Sequence, residues 1–123
     1  MIAQFSYDQI ARVCHEANRM VQRVIGEPMS PVWDELPEWM RERNIGWVEK
    51  ICKGMMFSPA ESHDSWVREM ESLGWKHGRM KDEGMKEHPC LVPYEQLPQG
   101  QRMKDQVFWE IVQLMMGKSF WVV

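Results

Sequence analysis

No apolar run in the chain approaches the roughly 20 residues that a membrane-spanning helix needs. The opening Met1-Ile2-Ala3-Gln4 carries neither a basic n-region nor an apolar h-region. A membrane span and a secretory leader are therefore not expected, and the expected compartment is the cytoplasm. Cysteine is scarce: Cys14, Cys52 and Cys90 are odd in number and far apart, which argues against a disulfide framework and fits a reducing environment. There is no excess of basic residues either. Fifteen Lys and Arg against 18 Asp and Glu leave a net charge of -3, whereas a duplex nucleic-acid binder carries a basic face that neutralises several phosphates. Nucleic acid is not an expected partner. Gly78 and Gly84 are not spaced to cradle a pyrophosphate at a helix start, and H-E-x-x-H, C-x-x-C, internal repeats and low-complexity runs are all missing.

What remains is a chain of 123 residues, 44% hydrophobic and 27% charged, which fits one globular domain over 1–123. Twelve Met and seven Trp stand out. Methionine fills irregular cores, and tryptophan serves cores and stacking sites alike.

Punctuation divides the chain into four helices and one irregular stretch. Ser6 and Gln9 have capping-box spacing, and Ile10, Val13, Ala17, Met20, Val21 and Val24 form a stripe that predicts a helix over 7–24 with this face on the core. A proline-stiffened connection with Trp33 and Leu36 leads to Pro37, which opens a second helix over 37–53 whose buried face is Met40, Trp47, Val48 and Ile51. Gly46 in its middle suggests close helix packing. Ser58-Pro59-Ala60-Glu61 reads as a third start, with Trp66, Val67, Met70 and Leu73 inward and Gly74 just past the end. From Trp75 to Tyr94 the helical period is lost, and Trp75–His77 and Cys90–Val92 are expected to pair as a small hairpin. The last helix spans 99–116, with Met103, Val107, Phe108, Ile111, Leu114 and Met115 inward and Gly117 as its end. The apolar tail Phe120-Trp121-Val122-Val123 is expected to pack on this chain or on a second copy. The fold class is mainly α: a compact four-helix domain with a small β-hairpin or irregular segment near 75–94.

Few chemistry-bearing motifs survive scrutiny. Cys14-His15 and His88-Pro89-Cys90 each bring two possible metal ligands together, but four-ligand spacing is missing and a thiol beside a polar histidine explains both. No metal and no cofactor are expected. Ser62-His63-Asp64-Ser65 holds hydrolase letters, yet consecutive helix residues point in different directions. Cys90 with His77 or His88 has no orienting group in the pattern. Catalysis is not expected. The informative contrast is a basic run, Lys76, His77, Arg79, Lys81, Lys86 and His88, beside Trp66 and Trp75 in an acidic chain. Aromatic faces stack on purines while cations hold phosphate. On the residues alone, Trp66 in the core with the charges solvated remains the stronger account.

The ordered strings Ser62-His63-Asp64-Ser65-Trp66, Leu73-Gly74-Trp75-Lys76-His77-Gly78, Lys81-Asp82, Lys86-Glu87-His88-Pro89-Cys90-Leu91-Val92-Pro93-Tyr94 and Leu97-Pro98 resemble the ryanodine receptor repeat, or RyR domain. Ile10 to Arg19 and Trp33 to Trp39 are similar to the segments that open that repeat, so the likeness covers about 10–115. His77 stands where the family's Gly-Trp-x-Tyr-Gly pattern has tyrosine. The resemblance implies a mainly helical fold, a binding or scaffolding role without catalysis, and a small stand-alone protein of bacterial or phage type in the bacterial or infected-host cytoplasm. In the channels, paired repeats clamp a purine nucleotide between aromatic residues, so a single repeat implies a homodimer.

The resulting expectation is a module for a nucleotide-like small molecule, derived from adenine or ADP-ribose, that senses or sequesters a nucleotide signal. Trp66 and Trp75 would stack, Lys76, Arg79, Lys81 and Lys86 would meet phosphate, and His77 and His88 would add hydrogen bonds. Asn18 and Arg19 would form a polar wall, with His63 and Tyr94 completing the ligand-binding set. The alternative is a protein-interaction domain. A concave pocket at Trp66 and Trp75 favours the ligand, whereas a flat patch of Trp33, Trp39 and Trp121 favours a protein partner.

Overall fold

Ser6 Oγ accepts from the Gln9 N–H at 3.1 Å while Gln9 Oε1 accepts from the Ser6 N–H at 2.9 Å, a closed capping box that opens α1, Tyr7–Ile25. Gly26, at φ 81°, ends it in the left-handed region. Helix α2, Glu38–Cys52, follows Pro37. Helix α3, Pro59–Ser72, starts where Ser58 Oγ accepts from the Glu61 N–H at 3.1 Å. It stops at Gly74, whose φ of 89° few side-chain-bearing residues tolerate. Helix α4 is Gln99–Met116. The computed structural model describes residues 2–3, 5–56, 58–116 and 120–121. Among the described residues these are the four α-helices, so the mainly α class holds.

Among the described residues there are also four two-residue strands: β1 at Ile2–Ala3, β2 at Lys76–His77, β3 at Glu87–His88 and β4 at Phe120–Trp121. Strands β1 and β4 pair antiparallel, Ile2 opposite Trp121, which gives the apolar tail a partner in its own chain. Gly117, Val122 and Val123 lie outside the described residues. The expected hairpin at Trp75–His77 and Cys90–Val92 does not form. Lys76–His77 instead pairs in parallel with Glu87–His88. The chain reverses a second time at an antiparallel bridge between Asp82 and Glu87, which restores the direction of β2. A Cβ at Gly78 would stand 2.5 Å from Glu87 Cβ, so only glycine fits beside β3.

Helices α1, α2 and α4 enclose a core of Ile10, Ala11, Cys14, Trp33, Leu36, Val48, Ile51, Met56 and Val112. Helix α3 packs on α4 from the other side. The inward face of α1 is rotated from the expected stripe. Val13, Met20 and Val24 are exposed, Val24 at 80%, while Cys14, His15 and Gln22 are buried. Partners across the chain make this burial possible: His15 Nε2 donates to Pro31 O at 2.7 Å, and Gln22 Oε1 accepts from the Ser30 N–H at 2.7 Å. Leu73, Met103 and Leu114 are likewise exposed, and Val112 is the fully buried residue of α4. Nothing lies within 4 Å of where a Cβ of Gly46 would stand, so close packing does not explain that glycine. No helix among the described residues is long and apolar enough to cross a membrane.

Candidate functional site

A cavity of about 260 Å³ opens between α2, α3, α4 and the segment from His88 to Leu97. Helical spacing builds each wall. Trp47 and Ile51 come from α2 at i, i+4, and Ser62, His63 and Trp66 from α3. Helix α4 gives Gln101, Lys104, Asp105, Phe108 and Trp109, the i, i+3, i+4, i+7, i+8 stripe of one face. Three indoles, a phenyl ring and two imidazoles thus surround a space whose polar groups gather along α3 and α4.

The rings form a continuous chain. His63, only 6% exposed, lies 5.6 Å from Trp66 and 6.0 Å from Tyr94 between centroids. Trp66 meets His88 edge-on at 5.2 Å, and His88 meets Trp75 at 6.4 Å. Such offset and edge contacts fix ring orientation. His63 Nε2 is anchored at 2.8 Å on Val92 O, and His88 Nδ1 accepts from the Cys90 N–H at 3.0 Å. Burial, with smaller contributions from Lys81 and His63, holds the His88 imidazole below its ordinary pKa, so it is neutral at pH 7 with its proton on Nε2. Burial also pushes the Cys90 thiol up. With His88 Nδ1 taken by a backbone amide, Cys90 and His88 are not arranged as thiolate and base. Burial raises Asp105 to about 6 against the opposing charges of His63 and Lys104. Lys104 itself pairs with Glu27, which also accepts from the Gln101 amide. Among the described residues, no group of three or more His, Cys, Asp or Glu side chains could hold a metal ion.

Of the residues expected from the sequence, His63, Trp66 and His88 line the cavity. Trp75 and Tyr94 back its wall through His88 and His63. Lys76, His77, Arg79, Lys81 and Lys86 are exposed and line no part of it. Lys86 Nζ donates to Leu73 O at 2.8 Å and so caps the end of α3. Arg19 is tied to Glu16 at 2.7 Å and to Ser30 O at 2.9 Å, and Asn18 lies half-buried on the same helix, neither lining the cavity. Trp33 is 3% exposed in the core while Trp39 is 59% exposed, so the two do not share a surface patch. The sequence reading missed Trp47, Ser62, Cys90, Gln101, Lys104, Asp105 and Trp109. The two-turn periodicity of the α4 group was a usable signal, masked because three of its five members are polar.

The family model of the RyR domain matches residues 48–122. That span holds α3, α4, both small strands between them and every cavity residue except Trp47. It leaves out α1, where the resemblance read from the sequence began. The match covers more than half of the sequence, and the chain belongs to the RyR domain family.

Proposed function

We propose that this chain is a non-catalytic binding module whose cavity takes the base of a nucleotide-like small molecule, adenine- or ADP-ribose-derived. The observation that carries this reading is the ring-walled cavity itself. Trp47, Trp66 and Trp109 offer stacking faces, and a small polar group sits along one side. Its 260 Å³ lies just below the roughly 300–1,000 Å³ of sites for drug-sized ligands, a size for a base or nucleoside rather than a whole dinucleotide. The phosphates then lie outside, toward the exposed basic loop, where Lys81 is near enough to act on His88.

Two copies pair in this proposal, as a single repeat requires if two are needed to clamp a ligand. The module works in a bacterial or phage-infected cytoplasm, in keeping with three free thiols. A docking role for another protein is the second reading. Exposed Trp39 favours it, but burial of Trp33 removes one indole from its expected patch.

Calorimetric titration with ATP, ADP-ribose and cyclic nucleotides tests the first reading. Saturable binding to the wild type, weakened at least tenfold by Trp66→Ala, is expected. Flat traces across the panel would sink it and leave the docking role. Native mass spectrometry of the same samples reads the pairing.

A further inference from the structure

The polar end of the cavity is built of acceptors. Val92 O can only accept, so its 2.8 Å contact with His63 Nε2 fixes the ring proton on Nε2. In the ring form that carries this one proton, Nδ1 presents a lone pair, and it faces Asp105 Oδ2 at 4.0 Å. Two acceptors so placed call for a donor between them. A proton on Nδ1 would not join them directly, because 4.0 Å exceeds hydrogen-bond length. Among the described residues no N–H or O–H donates to Asp105. Lys104 and Gln101, its neighbours on the same face, both turn to Glu27. Ser62 Oγ, lining the same cavity, is buried and has no partner among the described residues. Native interiors rarely leave an atom such as Ser62 Oγ unpaired, and the half-buried Asp105 has water rather than a protein group as its donor. The raised pKa of Asp105 agrees with that reading.

Resting on the small-molecule reading above, we propose that Asp105 and His63 Nδ1 form a paired acceptor that takes the N–H donors of an amino-bearing nitrogen ring. The aromatic walls recognise any flat ring, and the paired acceptor selects among them. A ligand without the amino group covers the cavity-facing side of the carboxylate without supplying a donor, which costs on the order of 10- to 100-fold in affinity.

The test is calorimetry at pH 7.5 with three nucleosides on the full chain: adenosine, purine riboside, which lacks the amino group, and N6,N6-dimethyladenosine, which lacks its hydrogens. The wild type binds adenosine about 10- to 100-fold more tightly than either analogue. In Asp105→Asn the gap closes to within about threefold, with a thermal melt confirming that the variant is folded. Equal wild-type affinity for adenosine and purine riboside, with Trp66→Ala still abolishing both, would overturn the paired acceptor and leave the cavity reading intact. No binding of any nucleoside, ATP or ADP-ribose would overturn both. The wild-type comparison decides the matter even if the variant fails to fold.

Discussion

The molecule contains the same small device twice. In each case a histidine donates through Nε2 to the backbone carbonyl of a proline or of the residue before one, and lies against a tryptophan. His15 uses Pro31 O and sits 5.9 Å from Trp33, and His63 uses Val92 O and sits 5.6 Å from Trp66. The outcomes differ. Trp33 is driven between helices and becomes a core residue, whereas Trp66 forms the wall of an open cavity. What stands opposite decides this. Trp33 belongs to one buried cluster with Ile10, Val48 and Val112, whereas the cavity of Trp66 is bordered by Asp105, Ser62 and His88. Anchoring a ring therefore does not make a site. Leaving polar atoms short of partners beside it makes a candidate for one.

Substitutions can break this comparison. The largest effect belongs to Trp33→Ala, which empties a filled position and costs about 3–5 kcal/mol in urea denaturation. A loss below about 1.5 kcal/mol would mean that Trp33 is no plug. Trp66→Ala reverses the profile: nucleoside affinity drops about 10- to 100-fold, as stacking of roughly 1–3 kcal/mol per base implies, with a smaller stability cost than at Trp33. Equal destabilisation at the two positions would erase the distinction.

Asp105→Asn sharpens the comparison through pH. The folded chain keeps the Asp105 proton up to about 6, whereas an unfolded chain releases it near the ordinary value of 3.8. The folded state therefore binds more protons in that interval, and stability from this group falls as pH rises through it. The side chain keeps 36% of its surface in water, so the penalty above pH 6 is screened to about 1 kcal/mol. The asparagine variant should match the wild type at pH 4 and exceed it by about that amount at pH 8. A constant difference across the range would place the raised pKa elsewhere. Gly46→Ala has the smallest effect and the opposite sign. With nothing within 4 Å of the added Cβ, it should raise the melting temperature through a gain of about 0.5–1 kcal/mol. A fall would reveal a close approach after all.

Local signals were legible in the sequence. Ser6 with Gln9, Ser58 with Glu61, and Gly74 after α3 placed helix ends, because caps depend on neighbours a few residues away. The buried faces were less legible. His15 and Gln22 look solvent-facing until Ser30 and Pro31 supply partners, and hydropathy cannot see partners across the chain. The parallel pairing of Lys76–His77 with Glu87–His88 depended on a second reversal that no local pattern encodes. At the site, His63, Trp66 and His88 could be read from adjacency and aromatic character. Asp105 and Gln101 could not, since on one helix they look like an ordinary wet face. The basic loop was legible from its charge, and it lies at the surface outside a cavity formed mainly by rings.

Three of the seven tryptophans wall the cavity, and Trp33 is sealed from solvent. Displacing water from three indoles shifts ultraviolet emission toward shorter wavelengths, while the sealed indole adds a steady background. Under the proposed function the protein would carry its own optical gauge of occupancy, readable without a label. Exchanging Trp47, Trp66 and Trp109 for phenylalanine one at a time would assign the signal to a wall.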